Sequence, residues 1–525
     1  MSKQIFFEKD AKIKIIEGAA KMAKAVGSTL GPFGRNVIIK KEYSDPHVTK
    51  DGVTVADHIR FQNQLEDIGA LLVRQAARKT ADNSGDGTTT TTLMAYNLMR
   101  GVLDSKDKIA IRELKDQLDY WSKRILDYID EETIPFNDDI DIVKHVSMIS
   151  SNGDEELTHS IVECYKELGN YADIVIDTSP KLETHHEIYS GMYFEGGYIA
   201  KEFINNTARE TCEMENVALL ITERKINDPT DIVDIVRKLL GSKYSVMIIA
   251  PEVSGDALLT LARTAQNKKQ NVCVVRSPSV NVRRTEMMED IAAFTGGMVV
   301  KKNLGKTLPE AVEGMKFMDF IGIAKKVVVR KDSTTIIEGD GDKSKIKERI
   351  DIIQKDMDSM EDPSLKKRYS KRISGLQSGV GIIYVGGASE VEVKEKKDRL
   401  DDCVCAVRSA SEEGVILGGG SAFSEFANLY KEELNATIVG KLISDTLFSP
   451  VITIWQVNGE QDIPKNYLEY LEKNNILDPV KVLKDCVRNS FSVAYAILSS
   501  NATIINDDES NEILGDLPSF EETTR

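Results

Sequence analysis

A chain of 525 residues exceeds the size at which one hydrophobic core stops growing, so two or three domains are expected. With 41% hydrophobic and 29% charged residues the composition is globular, and a formal net charge of −16 argues against a nucleic-acid binder. The longest uninterrupted apolar runs, such as Val246 to Ala250, are strand-sized and fall short of the roughly 20 residues that span a bilayer, so no membrane segment is expected.

The opening Met1 to Asp10 mixes Lys, Phe, Glu and Asp and lacks the apolar stretch of a secretory signal, which predicts a cytoplasmic location. Ile13, Ile15, Ile16, Ala20, Met22 and Val26 recur at mainly helical spacing, predicting a helix from Asp10 to Leu30 that Gly31 and Pro32 end. Asn36 to Lys40, with a turn at Ser44-Asp45-Pro46, reads as a hairpin. A second long helix is expected to begin near Thr88 and a third near Ile111, making one mostly α unit up to Pro135.

Beyond Pro135 short strands alternate with helices. Ile174 to Ile176, Val217 to Thr222, Val246 to Ala250 and Val272 to Val275 read as strands, and Asp231 to Leu240 and Gly255 to Ala265 as helices, which is an α/β texture. Lys325 to Arg330 and Thr334 to Ile337 flank a turn. A charged helical hairpin follows, with Ile346, Ile350, Ile353 and Met357 on one stripe, a break at Asp362-Pro363, and Lys/Glu-rich faces read as solvent-exposed. From Ser421 the sequence returns to helices. The expected fold is therefore multidomain, α plus α/β: a discontinuous helical domain from both termini, with an α/β domain inserted between them and Gly191, Gly379 and Gly414 as candidate joints. The six cysteines are scattered and read as reduced, buried thiols; Cys403 and Cys405 are too close along a helix to share a face, so they predict packing rather than metal.

The segment Gly85-Asp86-Gly87-Thr88-Thr89-Thr90 at a helix start carries the chemistry. Glycines let the backbone approach a ligand, helix-start amides and hydroxyls bind phosphate oxygens, and a carboxylate among them makes sense if it holds a magnesium ion. Taken alone, a threonine-rich N-cap without a ligand would be the simpler reading. No Gly-x-x-x-x-Gly-Lys-Ser/Thr segment exists, so a P-loop is excluded. Leu30-Gly31-Pro32 and Lys50-Asp51-Gly52 supply two further loops.

These segments, together with Thr29 to Val37, Thr49 to Ala56, Val391 to Lys397, Glu412 to Gly420 and Ile476 to Pro479, closely resemble in order the nucleotide and hinge segments of group I (bacterial-type) chaperonins. The resemblance implies a mostly α equatorial ATPase domain (1–132 and 413–525), a small intermediate hinge domain (133–190 and 380–412) and an inserted apical client-binding domain (191–379). It implies ATP with Mg2+ and K+: Thr29, Leu30, Gly31, Pro32, Gly87, Thr88, Thr89 and Thr90 at the phosphates, Asp86 on magnesium, backbone oxygens of Thr29 and Lys50 on potassium, and Gly419, Ile476 and Asp478 at the nucleoside. Asp402 matches the family's catalytic acid, which orients the attacking water, and Asp51 its supporting acid. An intrahelical pair of Asp402 with Arg399 is the structural alternative; the family instead pairs the position of Arg399 with that of Asp154. Implied partners are unfolded polypeptides, further copies in a heptameric single or double ring, and a small lid co-chaperonin. The competing function is a ring-forming holdase or scaffold without productive hydrolysis, against which the retention of Asp51, Asp86 and Asp402 speaks.

Departures mark a divergent member, open to being virus-encoded. Tyr198, Phe203, Val233, Val236 and Leu258 fit the apolar client groove, but Glu202, Ala262 and Arg263 stand where larger apolar residues are usual, so Ala262 makes a trimmed contact. Ile452, Gln461 and Asp104 replace charges that join two rings, which predicts populated single rings. Gly196 replaces the Arg partner of Glu390, Ser378-Gly379 a Gly-Gly joint, residues 461–475 align poorly over the expected adenine, and 506–525 lacks Gly-Gly-Met repeats.

Overall fold

The computed structural model describes residues 3–40, 46–105, 109–137, 139–169, 173–207, 209–267, 271–278, 282–302, 317–360, 363–377, 379–460 and 462–506; Ser44, Asp45, Asp362, Ser378, Gln461 and the 507–525 tail lie outside them. The chain forms two compact units, one of residues 1–162, 178–184 and 385–525, the other of 163–177 and 185–384. The expected insertion of an α/β body between two halves of a helical one is what forms.

In the first unit the helix Glu8–Gly27 buries Ile15, Ile16, Ala19, Met22 and Val26 against the helices Gln64–Ser84 and Thr88–Asp104. Ile111–Glu131, Ile438–Val457 and Val480–Ser499 complete the bundle. The sequence reading missed Gln64–Ser84, whose start is capped by Asn63 Oδ1 accepting from the Leu65 and Glu66 amides at 3.0 and 3.3 Å. This helix crosses Glu8–Gly27 at two glycines. A Cβ on Gly69 would stand 1.8 Å from the Ile15 carbonyl oxygen, and one on Gly18 would stand 1.9 Å from that of Glu66. Such backbone contact excludes any side chain.

One expectation needs correction. Ile438–Val457 is 20 residues long and apolar enough to cross a membrane. Val439, Ile443, Leu447 and Val451 are fully buried in the bundle and the helix packs on Thr88–Asp104, so half of its apolar window serves the core while Ile438 and Ile452 stay exposed. Short-run counting missed it because Ser444, Asp445, Thr446 and Ser449 interrupt the apolar residues.

The expected hairpin is present as Val37–Ile39 paired antiparallel with His47–Thr49. Of the six free cysteines, five are buried and Cys405 is half-buried.

The second unit is built on one mixed sheet with strand order Asp173–Thr178, Gly379–Val385, His185–Glu195, Ser333–Gly339, Gly322–Val329, Cys212–Thr222, Ser245–Ala250 and Val272–Arg276, with Val299–Val300 pairing the end of Cys212–Thr222. The last three strands of that order run parallel, and Ser245–Ala250 is buried at every residue, as a strand covered on both faces must be. Val233–Gly241, Gly255–Gln266 and Val282–Thr295 are its helices. Gly191 and Gly379 lie inside paired strands, where a Cβ would meet the Val380 side chain at 2.1 Å and the Tyr189 carbonyl oxygen at 2.4 Å, respectively, so close packing explains both positions here.

The charged hairpin forms as Lys343–Asp358 and Pro363–Gln377 with Ile353 and Ile373 buried. Its faces are not all solvated. Asp290, buried on Val282–Thr295, takes Arg349 Nε at 2.7 Å and Arg372 Nε at 2.8 Å, which fixes both helices to the sheet layer.

Gly69→Ala tests the helix crossing. Forcing a methyl against the Ile15 carbonyl should cost more than about 1–3 kcal/mol, read as a lowered midpoint in urea unfolding, whereas Gly241→Ala, with open space around it and no left-handed backbone, lacks this cost.

Candidate functional site

The first unit brings the sequence-predicted loops together. The helix Gln64–Ser84 ends at Gly85 (φ 74°), and Thr88–Asp104 begins at Gly87 (φ 88°), so two left-handed residues flank Asp86. Behind the loop a Cβ on Gly85 would lie 2.1 Å from Cys405 Cβ, and one on Gly87 would lie 2.7 Å from Cys486 Sγ. No side chain caps Thr88–Asp104, which leaves its first-turn amides for a ligand. Thr88 and Thr89 are buried and Thr90 half-buried at that end.

Gly52 abuts the same place, because a Cβ there would stand 2.5 Å from Thr89 Oγ1 and 2.9 Å from Thr88 Oγ1. Asp51 caps the helix Gly52–His58: its carboxylate accepts from Val53 N (3.0 Å), Thr54 N (2.8 Å) and Thr54 Oγ1 (2.6 Å). Three of about four lone-pair sites are thereby used and the orientation is fixed.

Thr29 to Gly34 closes a tight turn after the first helix: the Gly34 amide donates to the Gly31 carbonyl and the Arg35 amide to that of Ser28, at 3.0 and 2.8 Å. Gly31 takes φ 77°. The Thr29 hydroxyl donates to the Val26 carbonyl at 2.8 Å. Among the described residues neither the Thr29 carbonyl nor that of Lys50 accepts a backbone hydrogen bond, which leaves lone pairs on both for other partners.

Asp478 sits opposite Ile416 in the short ladder Val415–Leu417 with Leu477–Pro479. The Gly418 amide donates to Ile476 O at 2.8 Å, which presses Gly418 onto the Asp478 carboxylate. A Cβ on Gly419 would meet Leu471 Cδ2 at 2.9 Å. Leu471 belongs to the helix Tyr467–Lys473, and Tyr467 Oη lies 2.6 Å from Ser424 Oγ. Sequence reading had no signal for this helix over the glycines.

Asp402 lies on the helix Glu390–Glu413. Burial pushes its carboxyl well above the usual range, and Asp51, Asp86, Asp401 and Asp398 push it in the same direction. Asp86, exposed at one edge but ringed by protein, is raised by desolvation and by Asp51 against the opposing Gly87 amide. Asp478 is pushed up to about 6 by burial and by Asp86, against the Gly419 amide. Four carboxylates thus act on one space. Arg399 does not pair with Asp402; it bonds Asp154 (3.3 Å), Glu395 (2.6 Å) and the Ser151 carbonyl (3.0 Å).

Among the described residues no three His, Cys, Asp or Glu side chains are close enough to hold a metal unaided. A cation here would take most ligands from elsewhere, as magnesium does from phosphates and water, and mutually destabilised carboxylates fit that arrangement. A cavity of about 440 Å³ in the same unit is lined by Pro32, Asn36, Lys50, Asn152, Glu395 and Arg399 among others, but by none of the four aspartates.

A family model described as the TCP-1/cpn60 chaperonin family matches residues 22–441. The chain belongs to that family. Among solved structures this chaperonin resembles the chaperonin gp146 from the bacteriophage EL 2 (Pseudomonas aeruginosa), solved in the presence of ATP-BeFx in two crystal forms. Identity is 21% for both, with 96% of this chain and 99% of that chain covered and TM-scores of 0.70 and 0.62.

In the second unit of the chaperonin the expected client residues divide. Tyr198, Val233 and Leu258 are half-buried, but Phe203, Val236 and Ala262 are 2%, 4% and 9% exposed and belong to the core. This corrects the expectation that all six face a client. Leu259, which the sequence reading passed over, is 56% exposed on the same helix as Leu258, and Glu202 and Arg263 are exposed beside it.

A raised carboxyl pKa means that the folded state binds the proton more tightly than the unfolded chain. Stability is therefore fullest below the unfolded carboxylate pKa and is lost as pH rises through about 6 for Asp478. Asp478→Asn should stabilise the ligand-free protein at neutral pH by an amount of order 1–3 kcal/mol and flatten the fall of Tm between pH ~4 and ~6, read by calorimetry.

Proposed function

We propose that this chaperonin is an ATPase that assembles with further copies into a ring, binds non-native polypeptides and promotes their folding by hydrolysis-driven domain movement. The carrying observation is the convergence of Asp51, Asp86 and Asp402 at the uncapped, glycine-flanked start of Thr88–Asp104. The family, and crystallisation of a related fold with an ATP analogue, support the nucleotide reading.

In this reading the amides and hydroxyls of Thr88 to Thr90 and the Thr29 to Pro32 turn hold phosphate oxygens. Asp86 holds magnesium, and the Thr29 and Lys50 carbonyls hold potassium. Bound magnesium supplies charge neutralisation on the phosphates. Asp402, ionised once positive charge stands nearby, accepts a hydrogen bond from water and aims it at the terminal phosphate, while Asp51 fixes the neighbouring helix start. Gly419, Ile476 and Asp478 face the nucleoside. The division into 1–132 with 413–525, 133–190 with 380–412, and 191–379 assigns hydrolysis, hinge and client binding in turn.

Unpaired strand edges support association of copies. The two-stranded sheets Lys3–Phe7 with Ala502–Asn506, and Val37–Ile39 with His47–Thr49, expose Ile5, Phe7, Ile38 and Ile504 to solvent. Seven copies per ring belong to this reading by family likeness, a cytoplasmic setting is proposed with them, and likeness to a phage protein accords with a virus-encoded member. Asp104 pairs with its own Arg100 at 3.2 Å, and Ile452 is exposed, so neither offers an ion pair to a second ring. Native mass measurement with and without nucleotide should therefore show single rings; double rings alone would reject this.

Asp402→Ala should bind ATP as the parent does while hydrolysis falls by about 100-fold or more, because the water loses its orienting group. ATP-dependent rescue of a denatured test enzyme, with or without a lid protein, should vanish with it. Rescue that persists without turnover would favour the holdase.

A further inference from the structure

Asp402 is fixed to the first unit only through the Glu390–Glu413 helix, so whatever holds that helix in place sets the position of the acid. Asp398 precedes Asp402 by four residues, one turn earlier on the same face. Its Oδ2 lies 4.0 Å from Nε2 of His47, a residue only 9% exposed. His47 opens the strand His47–Thr49, which packs against the Glu390–Glu413 helix and runs directly into Lys50 and Asp51. One contact therefore joins the helix bearing Asp402 to the segment bearing Asp51.

We propose that His47 and Asp398 form a charge pair that positions Asp402 against the Lys50-Asp51-Gly52 loop. His47 is a positioning residue, acting through Asp398, and touches neither nucleotide nor water. The pair has a second consequence: Asp398 is one of the carboxylates that raise the proton affinity of Asp402, and an imidazolium at His47, 4.0 Å from Asp398, would offset that field. The proposal rests on reading Asp402 as the hydrolytic acid.

The test compares the full-length parent with His47→Gln, His47→Lys, Asp398→Asn and the double variant His47→Gln/Asp398→Asn in steady-state ATP hydrolysis. Removing either charge should lower kcat about threefold to tenfold with the KM for ATP within about twofold, as expected when ground-state binding is untouched. The double variant should be no slower than the worse single one, and His47→Lys should restore kcat to within about twofold of the parent. Unchanged kcat in both single variants, additive losses, or equal losses in Gln and Lys at position 47 would each overturn the pair. A parent without ATPase activity defeats the hydrolytic reading instead. The pair is then judged by hydrogen exchange of residues 390–402, whose amides should exchange at least about threefold faster in His47→Gln than in the parent. Equal exchange overturns it.

Discussion

Four carboxylates act on one space at the start of the Thr88–Asp104 helix, and desolvation by the surrounding protein together with neighbouring negative charge makes Asp86, Asp402 and Asp478 harder to ionise, Asp86 despite an exposed edge. Such an arrangement is unfavourable by itself. Arg399, three residues before Asp402, is committed to Asp154 and Glu395 and so is not spent on these acids. Like charges held together in this way are relieved when a carboxylate takes up a proton or when a cation stands among them.

Holding like charges together demands backbone that cannot relax away from them. Glycine-to-backbone contact supplies it: Gly18 and Gly69 lock the first two long helices, and the second of these ends in Gly85 at the site. The thiols of Cys405 and Cys486 then fill the space beneath Gly85 and Gly87, so a chain atom added at either glycine would meet packed protein. These two cysteines serve as small, apolar filler behind the loop.

The local segments of the site were legible through their ordered resemblance to family segments, because each alone reads as a turn or an N-cap; the structure puts Gly87 at the start of Thr88–Asp104 and Asp51 at the cap of Gly52–His58. The inserted α/β body was legible from apolar runs such as Ser245–Ala250, which is buried throughout. Gln64–Ser84 escaped because its buried face is rich in Ala, Gly and Thr rather than in large apolar residues. The Asp290 network escaped because Arg349 and Arg372 sit in a charge-rich hairpin indistinguishable from a solvated one. Phe203 and Val236 were assigned to an exposed groove by likeness, but whether a side chain on a strip of apolar residues points in or out is settled by tertiary packing, which sequence spacing does not encode.

The acids differ in how they are held, and the difference sorts their roles. Asp51 is fixed by three hydrogen bonds to the helix start it caps, Asp86 by two flanking left-handed glycines and the Gly87 amide, and Asp478 by a strand pair and the pressed Gly418. Asp402 has no comparable local tether. Its helix is held by the burial of Leu400, Cys403, Val404, Ala406, Val407 and Ala410 and by ties that include Arg399 to Asp154 and the Ser151 carbonyl, Ser409 to the Ser84 carbonyl, and Asp398 near His47. Asp402 is therefore placed by the seating of a whole helix, whereas the other three acids are placed by the loops and the strand pair that carry them.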